Sequence, residues 1–391
     1  MKDRSARTGT PRLRALLLAL ASLLAGCVTL GTISAEGPCL DSIQVRGTLG
    51  GVGPLRPAFS PDRAEYRVAV QSDISEVAII PTAQRGGVSG IRVDDRPVDS
   101  GRAQPVRLSV GDNSVRVQVN GRAGQRRIYT VVLEREDIRA VVASFRKLSF
   151  TDPATGVTMG YRLFVPVGYD ASKPYPLVLF LHGSGESGSD NESQLTANQG
   201  ATVWAKPEEQ ARHACFVLAP QSPGDLLGRG GESSGQTGWT SLMSMGFADP
   251  FRPAPALEVA FRILQRVMEE YSIDRNRVYS TGLSMGGFGV FAMSVAHPDT
   301  FAAVVGICGG LDPARAAVVA RTPMWIFHAA EDPVVPVRFS RDTVKALADA
   351  GGSPRYTEYP NGTCFNPTAH LSWVPAYADA QMRKWLFEQS K

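Results

Sequence analysis

The chain has 391 residues, 43% hydrophobic and 20% charged, which excludes a disordered or fibrous protein and leaves room for two cored domains. Its 41 basic and 37 acidic residues leave a net charge of only +4, and no basic stripe interleaved with aromatics marks a nucleic-acid partner. The five histidines are scattered and no cysteine pair has ligand spacing, so neither a metal nor another cofactor is expected.

Residues 1–26 read as an export signal. Lys2, Arg4, Arg7, Arg12 and Arg14 flank and precede an apolar run from Leu13 to Leu24 that is too short for a comfortable membrane span. The run ends in Leu24-Ala25-Gly26-Cys27, which resembles a bacterial lipobox: small residues admit the peptidase, and the Cys27 thiol accepts diacylglycerol. The expectation is an exported protein, attached to the membrane through Cys27, with residues 27–39 as anchor and linker. Val28 in place of an aspartate points to the outer membrane in a Gram-negative host. A secreted protein with an incidental Cys27 is the alternative. Cys39, Cys215, Cys308 and Cys364 remain; disulfides persist outside the cell, and Cys308 and Cys364 fall in loops where they can pair.

Residues 40–136 read as a small all-β sandwich. Apolar and polar residues alternate over 66–70, 115–119 and 129–133, with a further strand over 77–80. Gly86-Gly87, Asp94-Asp95, Gly111-Asp112-Asn113 and Asn120-Gly121 supply turns. Leu40-Asp41-Ser42-Ile43, the stretch 55–61 with Tyr66 beyond, Gly111-Asp112-Asn113 and Tyr129-Thr130-Val131 resemble the bacterial cadherin-like, immunoglobulin-like sandwich domain. That resemblance implies a spacer or adhesion module. No cluster of carboxylates suits calcium, since Asp94 and Asp95 read as turn residues.

Residues 137–147 form a linker, read as a short helix or an extended connector. From 148 to 391 strands alternate with helices, the pattern of an α/β domain with a mostly parallel sheet. The runs 177–181, 216–219, 278–281, 303–307 and 324–327 are continuously apolar, as strands buried on both faces require. Leu257, Ala260, Phe261, Leu264, Val267, Met268 and Tyr271 follow helical spacing and mark one buried face. Helices are also expected over 285–296, 338–350 and 375–387.

Between strand 278–281 and helix 285–296 lies Gly282-Leu283-Ser284-Met285-Gly286, the nucleophile-elbow pattern. A serine on so tight a turn stands clear of the sheet, and the next N–H lies at a helix N-terminus. The acid and the base should follow in chain order, as in an α/β-hydrolase. Asp332, just past strand 324–327 and before Pro333, is placed to orient an imidazole, with Glu331 and then Asp312 as rivals. His370 alone among the histidines follows Asp332. Oxyanion donors are expected from Met285 and from His182-Gly183-Ser184-Gly185-Glu186, through Ser184 or Gly185.

That loop, with Ala219-Pro220-Gln221, Gly282 to Gly287, Ile307-Cys308-Gly309-Gly310 and Glu331-Asp332-Pro333, resembles one α/β-hydrolase group: feruloyl and acetyl-xylan esterases and prolyl-oligopeptidase-like predicted peptidases. The resemblance covers residues 148–391 and implies a serine esterase acting on carbohydrate-linked or small soluble esters, with Gln221 beside the substrate. A peptidase of the same chemistry is the alternative; from another class, the alternative is a surface adhesion lipoprotein with an inactive hydrolase fold. The glycine-rich insert 223–251 departs from the group and reads as a loop. Its Trp239 and Met243 are candidates to wall the acyl pocket, with packing of Trp239 at the domain edge as the rival reading.

Overall fold

The computed structural model describes residues 37–47, 51–223, 238–241, 249–364 and 368–391. The export segment, Cys27 and Met243 lie outside the described residues.

Eight strands build the N-terminal domain: β1 (Leu40–Arg46), β2 (Glu65–Val70), β3 (Glu76–Ala83), β4 (Val88–Val93), β5 (Arg96–Val98), β6 (Gln104–Arg107), β7 (Gly111–Gly121) and β8 (Arg126–Arg135). They form two sheets, ordered β1-β3-β6 and β2-β8-β7-β4-β5. Every pairing is antiparallel except that of β2 with β8. Period-two alternation sets the faces: Tyr66, Val68 and Val70 of β2 are buried, while Arg67 and Ala69 face solvent. Val115, Val117 and Val119 of β7 and Tyr129, Val131 and Leu133 of β8 complete the core. Each fully buried aliphatic chain contributes about 1.5–3 kcal/mol.

Asp94 and Asp95, at φ +45° and +63°, turn the β4–β5 hairpin with both central residues left-handed. Gly111-Asp112-Asn113, expected as a turn, instead opens β7. The Asn113 side chain accepts from the Ser109 N–H and donates to the Ser109 carbonyl, both at 2.8 Å, which moves the bend one step earlier.

After a short helix, Arg139–Ala143, a second sheet begins with β9 (Arg146–Thr151) and β10 (Thr158–Phe164). Then come β11 (Tyr175–Leu181), β12 (Phe216–Pro220), β13 (Ile273–Leu283), β14 (Ala303–Ile307), β15 (Met324–Ala329) and β16 (Arg355–Tyr359). Their order is β16-β15-β14-β13-β11-β12-β10-β9. β9, β10 and β12 pair antiparallel; all pairings from β12 through β11 to β16 are parallel. This mixed sheet with helices on both faces is the α/β-hydrolase fold.

Alternate residues of β11 feed opposite cores. Leu177, Leu179 and Leu181 pack with helices Pro255–Glu270 and Met285–Ala296. Val178 and Phe180 pack on the other face with Trp204, Tyr377 and Trp385. β13 starts earlier than its apolar run because Asp274, Arg275 and Asn276 are polar and partly exposed at its beginning. The helix expected over 375–387 is two helices, Trp373–Ala378 and Ala380–Phe387. Asp379 breaks it, leaving helical dihedrals and accepting the Gln381 N–H with its side chain.

Candidate active site

β13 ends at Leu283 and the helix Met285–Ala296 begins two residues on, so Ser284 alone turns the chain. It does so at φ +54° and ψ −119°, a backbone region costly for a residue with a side chain. The turn closes only because its flanks are glycine: a Cβ on Gly282 would collide with the Gly286 carbonyl, and one on Gly286 with the Leu181 carbonyl. The Ser284 N–H donates to the Ile307 carbonyl at 2.9 Å, which pins the turn to the end of β14.

Asp332 follows β15 and His370 precedes the helix Trp373–Ala378, and the fold brings both to Ser284. His370 Nε2 lies 3.0 Å from Ser284 Oγ, and His370 Nδ1 lies 2.7 Å from Asp332 Oδ2. A carboxylate only accepts, so Nδ1 carries the imidazole proton and Nε2 is left to accept from the serine hydroxyl. Ser284 and His370 are buried to 6% and 9% exposure, so this hydrogen-bond path is largely shielded from water.

Asp332 is held from several sides. Its Oδ1 accepts the Val334 and Val335 N–H groups at 2.8 and 2.9 Å. Its Oδ2 also lies 3.2 Å from Nε2 of His328, a ring that bonds the Val335 carbonyl and the Ser340 hydroxyl. Burial alone would raise the Asp332 carboxyl, but the hydrogen bonds from His328 and His370 outweigh it and hold the group well below the ordinary range. The rival acids lie elsewhere: Glu331 accepts the Gly362 N–H, and Asp312 caps the turn at Ala314.

On the oxyanion side, Met285 opens its helix, where an N–H has no acceptor within the helix. Ser184, Gly185 and Glu186 form a short 3₁₀ turn after Gly183. That loop abuts the nucleophile, since a Cβ on Gly183 would stand 3.6 Å from Ser284 Cβ. His182 anchors the loop from below: its Nδ1–H donates to the Gly183 carbonyl at 2.6 Å and its Nε2 accepts the Ser222 N–H at 2.9 Å. Burial pushes this imidazole down to about 4, which keeps it neutral.

Two expected substrate contacts have other work. Gln221 is buried at 1% exposure, and its amide is taken up within the protein. It accepts the Asn191 N–H at 2.6 Å and donates to the Glu186 carbonyl and the Asp190 carboxylate at 2.9 and 3.0 Å. It therefore braces the oxyanion loop instead of facing substrate. Trp239 is fully buried; its indole N–H donates to the His182 carbonyl at 2.9 Å and its ring meets the His182 ring edge-on. Packing, not pocket lining, accounts for it.

Two residues escaped the sequence reading. His328, at the end of β15, bonds the Val335 carbonyl and also supports Asp332. Glu186, the acid inside the quoted loop motif, is 9% exposed, and among the described residues its Oε2 has no hydrogen-bond partner. Burial raises its carboxyl above the ordinary value against an opposing bond from Asn198. Its position directly after Gly183-Ser184-Gly185 was the available signal.

Cys308 and Cys364 stand as free, buried thiols. Among the described residues, one group offers metal-ligand atoms within 4.8 Å of one another: Cys308, Asp332 and His370. Asp332 and His370 are already bonded to each other, and burial and the Asp332 charge hold the Cys308 thiol protonated. The set suits proton transfer better than a cation.

Residues 40–136 match the cadherin-like beta sandwich domain. Residues 166–374 match the phospholipase/carboxylesterase model. A solved thermostable esterase is similar at 33% identity and a TM-score of 0.60, covering 92% of this chain and 93% of that one. A probable feruloyl esterase C of Aspergillus terreus is 27% identical over 178 residues, 45% of this chain and 56% of that protein. A putative esterase, NocK, of Nocardia uniformis subsp. tsuyamanensis is 27% identical over 258 residues, 56% of this chain and 68% of that protein. The similarity thus spans little more than half the length of the feruloyl esterase. An elbow serine at the end of β13, a sheet of α/β-hydrolase order and these similarities lead to one assignment: the chain belongs to the phospholipase/carboxylesterase family, with a cadherin-like β-sandwich ahead of its hydrolase domain.

Proposed function

We propose that this chain is a serine esterase that cleaves carboxylic esters through an acyl-enzyme on Ser284. The observation that carries the reading is the continuous path Ser284 Oγ–His370 Nε2 and His370 Nδ1–Asp332 Oδ2, at 3.0 and 2.7 Å, beneath a strained elbow. As Ser284 Oγ bonds to the ester carbonyl carbon, His370 Nε2 takes its proton and Asp332 steadies the imidazolium. The carbonyl oxygen becomes an oxyanion facing the Met285 N–H and that of Ser184 or Gly185. Collapse of this intermediate breaks the carbon–oxygen bond, and His370 returns the proton to the leaving alcohol. Water then repeats the cycle: His370 takes its proton, the hydroxyl adds to the acyl carbon, and Ser284 leaves with the proton restored. Each oxyanion donor in such a site is worth on the order of 10²–10³ in turnover.

For substrate, we favour carbohydrate-linked or small soluble esters, a reading supported by the similarity to a feruloyl esterase over part of its length. Turnover compared across acetyl, feruloyl and peptide substrates tests it; preference for peptides over both esters would overturn it. The export segment and Cys27 support an enzyme lipid-anchored to the cell envelope, in the outer membrane of a Gram-negative host, with the sandwich as spacer. Cys27→Ser should release the protein from membranes, and retention would count against the anchor.

A further inference from the structure

Val374 belongs by sequence to the hydrolase domain, yet it is buried at 2% exposure within the hydrophobic core of the β-sandwich. Leu371 and Trp373 pack against the same core. These residues follow His370 directly, so the sandwich grips the segment that carries the imidazole.

The grip has a seat. Gly51, beside β2 through the Gln71 N–H bond to its carbonyl at 2.8 Å, leaves a gap that both Ile74 and Val374 fill. A Cβ on Gly51 would come within 2.7 Å of Ile74 Cγ1 and 2.9 Å of Val374 Cγ1, closer than such atoms tolerate. Between the seat and the histidine the backbone is tightly wound. Ser372 N–H donates to the His370 carbonyl at 2.8 Å, Leu371 N–H to Thr368 at 3.2 Å, and Val374 N–H to Leu371 at 3.1 Å. The Trp373 ring stands edge-on to the His370 ring with centroids 5.1 Å apart. A second contact locks the two domains in register: Lys206 pairs with Glu136 at 2.6 Å and donates to Gln199 at 2.8 Å.

We propose that the β-sandwich is a positioning element of the active site, with Gly51 and Ile74 seating Val374 and thereby fixing His370 between Ser284 and Asp332. Gly51 and Ile74 touch no reacting atom; they act through the segment 370–374. The inference rests on the esterase reading for its kinetic consequence. Displacing a catalytic group by about 1 Å costs up to about 10²-fold in rate, so a shifted seat is felt in turnover and not in substrate binding.

The test uses the full chain with Gly51→Val, which forces Val374 off its seat, and Ile74→Ala, which empties the seat without adding volume. Ile91→Val is the control, since Ile91 lies in β4, separated from β2 by β8 and β7. The readouts are kcat and KM on p-nitrophenyl acetate and the downfield proton resonance of His370 Nδ1. The seat variants should lower kcat by about tenfold or more, leave KM within about twofold, and shift or broaden that resonance. Ile91→Val should lower melting temperature alone. Folded seat variants with unchanged kcat and resonance would overturn the proposal, as would an Ile91→Val variant that disturbs both. Hydrolysis by the unaltered chain tests the esterase reading, whereas the resonance decides this inference by itself.

Discussion

In the β-sandwich, buried and exposed residues alternate along β2, whereas β12 and β14 of the hydrolase sheet are buried at every position. The two regions also place backbone strain differently. In the sandwich, the left-handed non-glycine residues are Asp94 and Asp95, on an exposed hairpin turn where the short side chains tolerate that conformation. In the hydrolase domain Asp299 is left-handed on an exposed turn and Asn191 in a buried bend, while Ser284 and Cys308 are left-handed, buried and at the ends of parallel strands. Strain that a turn requires says nothing about chemistry. Strain that packing must enforce, at the carboxyl end of a strand, marks where a side chain has been aimed.

That contrast can be broken by substitution. Ser284→Ala should lower kcat by roughly 10⁴–10⁶ with little loss of melting temperature, which steady-state kinetics and calorimetry would measure together. Asp332→Asn should cost about 10⁴, because an amide leaves His370 in the wrong tautomer. Activity that survives Asp332→Asn would show that His370 is oriented by something else.

Glu186 sharpens the same comparison at smaller scale. If its buried side chain braces the oxyanion loop by shape and polar contact, Glu186→Gln should keep kcat within about threefold while Glu186→Ala lowers it about tenfold. Equal losses in both variants would mean that the carboxyl itself is needed.

The smallest expected effect is at the domain boundary. Among the described residues neither carboxylate oxygen of Asp73 has a side-chain hydrogen-bond partner of good geometry, and burial, opposed by its own backbone N–H and by the Lys206 charge, raises the group from 3.8 to about 6. With the folded value above the unfolded one, the folded state holds the extra proton. The contribution of this one group to stability is therefore greatest below pH 3.8, falls as pH rises to about 6, and stays lower beyond. Asp73→Asn should stabilise the protein by roughly 1–3 kcal/mol near pH 8 and by almost nothing near pH 3 in denaturant titrations. An equal effect at both pH values would contradict the assignment.

The fold was legible where a single period ruled. Alternation exposed β2, β7 and β8, and unbroken apolar runs exposed β11, β12, β14 and β15. β9 and β16 were missed because they are short and half exposed at the sheet edges, where neither pattern holds. Ser284 and Asp332 could be named because each sits just past a recognisable strand, and His370 because it is the histidine that follows Asp332 in the required order. Gln221 could not be read correctly and Trp239 was left between pocket wall and packing, since a motif position does not say which way a side chain turns; both turn inward. His328 and Val374 were out of reach for a different reason. Their roles come from partners at the far end of a loop or in another domain, which no local pattern encodes.

The account stands on Ser284 as nucleophile, and a fluorophosphonate probe tests that most directly. The purified chain should take up one adduct, located on Ser284 by mass spectrometry, and Ser284→Ala should lose both the adduct and p-nitrophenyl acetate hydrolysis. An unlabelled Ser284, or hydrolysis that persists in Ser284→Ala, would contradict it.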